Sequence, residues 1–369
     1  MARTPLYDAH VAAGGRLVDF AGWDMPMQYS GVLDEYHAVR TKAGLFDVSH
    51  MGRISVTGAG ALDFLQRVTT NDVATIAVGQ AQYGMVCTES GGIKDDIFVY
   101  RLADRDYLVC VNASNREKIV AWFHQHNRKP AECVIVDPSA DMAQVAVQGP
   151  ASRAVLGAIG LPDATTMKLR HCAVVTLMGA PCTLARTGYT GELGFELYFP
   201  AKLARQVWDR VLLEGQAHGV KPAGLGARDL LRLEMAYLLY GNDMSEETTP
   251  LEAGAAWAVA LHKPNFIGRT ALLAQNDALP RRLIGFELLE KAVPRHGCLI
   301  RRADGDGGQI GEVTSGNLSP LLQKGIGMGY VPMAHTAVGS RLVIDIRGKL
   351  VPAVVVKPPF YSHKRPAST

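Results

Sequence analysis

No stretch of about twenty consecutive apolar residues occurs in this 369-residue sequence, so no membrane-spanning helix is expected. The N-terminal residues hold neither a long apolar run nor a cleavage signal, and secretion is not expected. No C-x-x-C pair occurs among Cys87, Cys110, Cys133, Cys172, Cys182 and Cys298, which removes zinc-ribbon and dithiol redox readings. Most of these cysteines lie in apolar runs such as Leu108-Val109-Cys110-Val111, as buried free thiols do in a reducing compartment, read here as the cytoplasm. The net charge is only +3, without the dense basic patch that nucleic-acid binding needs. No lysine follows a glycine-rich loop in P-loop spacing, and no G-x-G-x-x-G turn follows an N-terminal strand. Asp304-Gly305-Asp306-Gly307-Gly308 reads as a hairpin loop without the terminal glutamate of a calcium loop, so no metal is expected. Low-complexity segments and fixed-period repeats are absent. The remaining composition, 48% hydrophobic and 20% charged, is globular, and the length calls for two or three domains.

The chemistry that is present concentrates in Glu89-Ser90-Gly91-Gly92-Ile93-Lys94-Asp95-Asp96-Ile97-Phe98-Val99-Tyr100. Ser90-Gly91-Gly92 is turn chemistry, and Ile97-Phe98-Val99-Tyr100 is an apolar, β-branched and aromatic run that reads as strand. Alternation places Asp96, Phe98 and Tyr100 on one face and Asp95, Ile97 and Val99 on the other. A carboxylate beside two rings suits a flat, nitrogen-rich heterocycle, which stacks on the rings while the acid takes its protons. An Asp-Asp turn closed by local hydrogen bonds is the plainer reading of the same residues.

Five further stretches stand in order around that one: Phe20-Ala21-Gly22-Trp23-Asp24-Met25-Pro26-Met27, Phe46-Asp47-Val48-Ser49-His50-Met51-Gly52, Thr187-Gly188-Tyr189-Thr190-Gly191-Glu192-Leu193-Gly194-Phe195-Glu196, Gly224-Leu225-Gly226-Ala227-Arg228-Asp229 and Thr314-Ser315-Gly316-Asn317-Leu318-Ser319-Pro320. With Gly91-Gly92-Ile93-Lys94-Asp95-Asp96, the ordered set closely resembles the aminomethyltransferase, or T-protein, family of the glycine cleavage system. The resemblance runs over almost the whole chain.

Ser30 is expected to cap a helix from about Gly31 to Ala43, with Val32, Leu33, Tyr36 and Val39 as its apolar stripe and His37 solvated. Asp47 and His50 are read as loop-to-backbone hydrogen bonding rather than a catalytic dyad. Hairpin-linked strands and helices over about 55–140 predict an inserted α+β antiparallel module. Tyr83 and Asn112 flank the Asp96 strand there, and Asn112 is able either to donate to a substrate oxygen or to accept from an amine. The glycines of the 187–194 turn permit close approach to a ligand, and Glu196 beside it suits a pterin, gripped by two parallel bonds. Arg228 opens a helix expected to run from Leu230 to Tyr240. A cation in a first helical turn opposes the helix dipole, which points to an anion such as the glutamate tail of folate, or else to a salt bridge with Glu234 or a neighbour. Short strands and glycine turns from about 281 predict a small β-barrel, and Lys364-Arg365 reads as a mobile tail.

The resemblance implies an α+β fold: a three-part cloverleaf of antiparallel sheet and helix modules around a central folate opening, with a C-terminal β-barrel. Residues 1–280 would form the folate-binding region and 281–362 the barrel. The implied reaction takes an aminomethyl group from the lipoyl arm of the H-protein to tetrahydrofolate, a co-substrate, and releases ammonia. Matched residue by residue, the family's key carboxylate falls on Asp96 and its folate contacts on Tyr83, Tyr100, Asn112, Tyr189, Glu196 and Arg228. The chain departs from the family in Met167-Lys168-Leu169-Arg170-His171, which lacks an aromatic pair, and in Lys94, a cation expected to lower the pKa of the neighbouring acid. Alternatives on the same scaffold are a tetrahydrofolate-dependent demethylase and a non-enzymatic folate-binding protein; the cysteine-containing signature of the latter is missing. Lys94, Arg116, Lys118, Arg128 and Lys129 are expected to steer an acidic carrier.

Overall fold

β-Branched and aromatic residues at alternate positions build the strand Ile93–Ala103, second in a five-stranded sheet. The sheet order is Gln80–Cys87, Ile93–Ala103, Asp106–Val111, Gly52–Thr57 and Val134–Val136. Its register sets Phe98 opposite Cys110 and Tyr100 opposite Leu108. Helices Ala61–Val68 and Arg116–His126 bury their apolar sides together, with Phe64 edge-on to Phe123 at 5.3 Å. The computed structural model describes residues 1–276, 278–304 and 307–362. Lys364, Arg365 and the centre of the expected 304–308 hairpin loop lie outside the described residues.

Two compact units result. The first comprises Met1–Val86, Asp95–Arg228 and Lys263–Phe266; the second comprises Cys87–Lys94, Asp229–His262 and 267–362. Besides the sheet above, the first unit holds a six-stranded sheet in the order Cys172–Leu177, Ala180–Ala185, Gly194–Pro200, Met142–Gln148, Ala43–Asp47 and Val220–Pro222, whose last pair is parallel. Helix Ala204–Gly215 lays Val207, Trp208 and Val211 on this sheet against Val145, Phe195 and Leu197. Tyr100, Leu108 and Cys110 of the five-stranded sheet share a core cluster with Cys172, Ala185 and Tyr198 of the six-stranded one. That junction positions the site described below.

The second unit contains a closed barrel in the order Arg281–Leu288, Lys324–Pro332, Gln309–Ser319, Leu299–Arg302, Arg341–Ile346 and Lys349–Val356. Val351, Ala353 and Val355 point inward while Leu350 and Pro352 are exposed, the period of two that a barrel wall requires. Mixed helix and largely antiparallel sheet with a six-stranded barrel is the expected α+β class. All six cysteines are free, five of them buried. No helix among the described residues is long and apolar enough to cross a membrane.

Two helices differ from expectation. The first runs Val32–Thr41 behind Gly31, and the Ser30 hydroxyl bonds the Asp34 side chain instead of capping the backbone. Leu33 is 56% exposed, so it is not part of the buried stripe. Glu35 takes the buried position, because its carboxylate accepts the otherwise orphaned N–H groups of Tyr29, Gly31 and Gly224. The second helix runs Leu225–Glu234 and stops well before Tyr240. Ala236 enters the left-handed region (φ 53°), and the N–H groups of Ala236 and Tyr237 bond back to Leu233 and Arg232, a Schellman end with alanine in the place usual for glycine.

Candidate active site

Strand alternation sends the two aspartates in opposite directions from one backbone. Asp96 lies half-buried on the aromatic face, whereas Asp95 is fully buried behind it. Tyr83, from the neighbouring strand, donates its hydroxyl to Asp96 at 3.1 Å. Asn112, at the end of Asp106–Val111, donates its amide to Asp96 at 2.7 Å and to Asp95 at 2.8 Å. Asp95 also accepts from the Asn112 backbone N–H at 3.0 Å and from Asn115 at 2.6 Å. Both amide protons of Asn112 therefore go to carboxylates. This removes the expected option of donation to a substrate oxygen and leaves its carbonyl oxygen as the group able to accept. Burial pushes the Asp96 carboxyl up to about 6 and Asp95 up to about 8, the Asp96 charge adding to the rise at Asp95. Both carboxyls are thus raised rather than lowered, and the Lys94 ammonium pairs with Glu246 at 3.2 Å.

The other sequence-derived residues lie in the same unit and join this cluster. Phe98 meets Tyr83 edge-on at 5.6 Å and stacks on Tyr100 at 6.0 Å. Tyr100 is fully buried, and its hydroxyl reaches Tyr198 at 2.8 Å and Glu196 at 3.4 Å. Glu196 is not a surface charge: it accepts from Thr187, Gln144 and Tyr100, and burial raises its pKa. Arg228 stacks its guanidinium over the Tyr189 ring at 4.5 Å and forms no ion pair among the described residues, so the alternative of a bridge to Glu234 falls away. Its charge bears on both Asp96 and Glu196. Tyr83, Asp96, Tyr100, Asn112, Tyr189, Glu196 and Arg228 are thus brought together. Thr187, Gln144 and Tyr198 complete the cluster; no local sequence pattern marks them, since they arrive through long-range strand pairing.

Two glycines of the 187–194 turn make room for a side chain of the protein itself. A Cβ on Gly188 or Gly194 would fall 2.0 or 2.3 Å from the Gln148 side-chain amide. The close approach they permit is to Gln148, which donates to the Thr187 carbonyl at 3.2 Å and accepts from Thr190 at 2.9 Å.

Asp47 accepts from the Ser49 backbone, as expected of a loop aspartate, and additionally from Thr4 at 2.6 Å and His10 at 2.9 Å. His50 departs from that expectation: it is buried, neither ring nitrogen is hydrogen-bonded among the described residues, and the ring lies edge-on to Phe20 at 5.5 Å. Burial, aided by the charges of Arg228 and Arg53 and opposed by Asp47, pushes its pKa down to about 3. An unfolded histidine titrates near ~6.5, so between those values the unfolded chain holds a proton that the folded one refuses, and stability falls as pH falls. His50→Phe is expected to make that decline shallower. Urea midpoints at pH 7 and pH 4.5 check this; an unchanged difference between the two pH values would refute it.

Residues 6–263 match the family described as the GCVT N-terminal domain, and residues 281–362 match the glycine cleavage T-protein C-terminal barrel domain. The chain belongs to the glycine cleavage T-protein family. An aminomethyltransferase of Halothermothrix orenii is 46% identical over 361 residues, 98% of this chain and 100% of that protein. One from Phocaeicola vulgatus is 46% identical over 365 residues, 98% and 99% of the two chains. The crystal structure of glycine cleavage system aminomethyltransferase T from Bartonella henselae is 35% identical, with a TM-score of 0.91 over 98% of both chains. Aminomethyl transfer in the glycine cleavage system is accordingly the activity of this T-protein family member.

Proposed function

We propose that the chain takes the aminomethyl group from a lipoylated H-protein, passes its one-carbon unit to tetrahydrofolate as 5,10-methylenetetrahydrofolate, and releases ammonia in the cytoplasm. The observation that carries this reading is the pairing, in one unit, of a half-buried carboxylate on an aromatic face with an arginine that forms no ion pair among the described residues. Carbon bonded to both sulfur and nitrogen readily expels the sulfur as the lipoyl thiolate and remains on nitrogen as an iminium, which a folate nitrogen attacks before ammonia leaves. The protein then needs to exclude water, orient folate nitrogens and move protons. Asp96 stabilises the developing cation or accepts the proton released on attack, and its raised pKa sets it near the operating range for that work. Asn112 accepts a ring N–H through its free carbonyl, Glu196 grips the pterin edge, and Arg228 holds the glutamate carboxylate. The aromatic side chains Tyr83, Tyr100 and Tyr189 frame the ring. Residues 1–280 and 281–362 act as two domains in this reading.

Arg228→Ala is expected to raise the tetrahydrofolate dissociation constant by roughly tenfold or more, as loss of a charged hydrogen-bond partner does, and Glu196→Gln to weaken binding at the pterin end. Calorimetry tests both; unchanged affinity in the two variants would remove these residues from the site. Turnover measured with lipoylated carrier, ammonia and methylenetetrahydrofolate separates this reaction from methyl transfer off sulfur, oxygen or nitrogen.

Carrier steering by the basic residues of the 55–140 module has less charge to draw on than expected. Arg116 pairs with Asp137 at 2.6 Å and Lys129 with Glu132 at 3.1 Å, which leaves smaller fields at distance. The Michaelis constant for carrier is therefore expected to rise only about twofold to threefold between low and moderate salt. A steep climb would restore strong steering.

A further inference from the structure

Asp95 leaves the strand on the side opposite the aromatic face, yet it accepts as many hydrogen bonds as Glu196 does, three. It is 0% exposed and accepts three hydrogen bonds, two from Asn112 and one from Asn115. The Asn112 side-chain nitrogen has two hydrogens. One goes to Asp95 at 2.8 Å and the other to Asp96 at 2.7 Å. The backbone N–H of Asn112 is tied to Asp95 as well, at 3.0 Å. The orientation of the amide that faces Asp96 is thus set from the Asp95 side.

We propose that Asp95 is a positioning residue: it clamps Asn112 so that the Asp96 carboxylate is held toward the aromatic face, and the two acids release their protons as one unit. This rests on the assignment of Asp96 made above. The groups facing Asp96 are Asp95 on its own strand, Tyr83 from Gln80–Cys87, Asn112 from the end of Asp106–Val111, and Arg228 from helix Leu225–Glu234. Those facing Asp95 are Asn112, Asn115 and Asp96. A buried and a half-buried carboxyl joined through one amide do not ionise independently, since the charge of the first opposes departure of the second proton. Protons leave in two steps that belong to the pair, and burial raises both. With asparagine at 95, one carboxyl remains and no neighbouring negative charge opposes its ionisation. It then titrates in a single step below the upper step of the pair. Loss of the Asn115 donor acts the other way, because a hydrogen bond to the ionised form disappears.

The test is the pH profile of kcat, with the Michaelis constant for tetrahydrofolate and the thermal midpoint measured alongside, for the wild-type enzyme, Asp95→Asn and Asn115→Ala. Asp95→Asn is expected to move the upper apparent pKa down by about one unit, and to lower kcat at neutral pH by roughly tenfold or more while the Michaelis constant changes less than about threefold. Asn115→Ala is expected to move the same value up by a fraction of a unit. If Asp95→Asn does not fold, the upward shift in Asn115→Ala decides the matter. Profiles that superimpose on the wild type after scaling, with only a lower thermal midpoint, would make Asp95 a purely structural acid and overturn the proposal. Near-normal turnover in Asp96→Asn would instead remove the assignment beneath it; loss of turnover there, with both other profiles unmoved, fails this inference alone.

Discussion

Asp96→Asn is expected to lower turnover by roughly a hundredfold to ten-thousandfold while weakening tetrahydrofolate affinity by less than about tenfold. Asparagine keeps the size of the side chain and one acceptor oxygen, so the Tyr83 hydroxyl at 3.1 Å retains a partner. It has no negative charge with which to stabilise an iminium and no basic oxygen to take a proton. The half-buried setting enlarges the difference, because a charge partly removed from water acts on its neighbours through a lower dielectric. Turnover with lipoylated carrier and calorimetry with tetrahydrofolate measure the two quantities separately. A variant that keeps near-normal turnover would reduce Asp96 to a structural acid. Strand alternation makes Asp95 look like the natural silent control, but its three hydrogen bonds disqualify it. Asp104, whose side chain is 89% exposed beside Arg101, is the carboxylate whose conversion to asparagine should leave turnover unchanged.

The largest effect on stability is expected at Arg53. Its guanidinium is 0% exposed and donates to the backbone carbonyls of Ser49 (2.8 Å), Met51, Ser139 (2.6 Å) and Met142 (2.7 Å). None of these acceptors is a carboxylate. Four carbonyl dipoles balance the cation and draw the 49–51 segment onto the 139–142 turn. Arg53→Ala removes every one of those bonds, strands carbonyls away from water and leaves a cavity. A loss of about 3–5 kcal/mol follows from the usual cost of breaking a buried, hydrogen-bonded charge. Arg53→Lys should recover little, since a single ammonium cannot fork across four separated acceptors. Denaturant unfolding measures both variants; a shift below about 1 kcal/mol for the alanine variant would mean that water replaces the guanidinium.

Much of the site was legible because alternation along a strand is a local property. Asp96, Phe98 and Tyr100 needed only the period of two to be placed on one face. Position beside the strand, the glycine turn and a helix start suggested Tyr83, Asn112, Glu196 and Arg228 one at a time; the family resemblance joined them, with Tyr189, into one candidate site. The readings that failed did so where one side chain served two masters. Leu33 yielded its place to Glu35 because three backbone N–H groups converge there. Gly188 and Gly194 also make room for Gln148, which lies about forty residues away in sequence and which no local pattern links to them. Helix 225–234 stopped early through a left-handed alanine, a conformation that composition does not announce.

Sequence alone determined the α+β class, the C-terminal barrel and the family, because hydrophobic period, turn residues and ordered motifs are written along the chain. It also determined which face of the Asp96 strand carries an acid among rings. Only the tertiary structure decided how that acid is held: that Asn112 spends both amide protons on carboxylates, that Asp95 stands behind it fully buried, that Tyr100 hides its hydroxyl against Tyr198 and Glu196, and that Arg228 lies over Tyr189 without an ion pair among the described residues. The reason is one of range. Periodicity reports which way a side chain leaves its own backbone, whereas hydrogen-bond partners and desolvation depend on groups brought in from other strands and helices, and it is those groups that set where a buried proton resides.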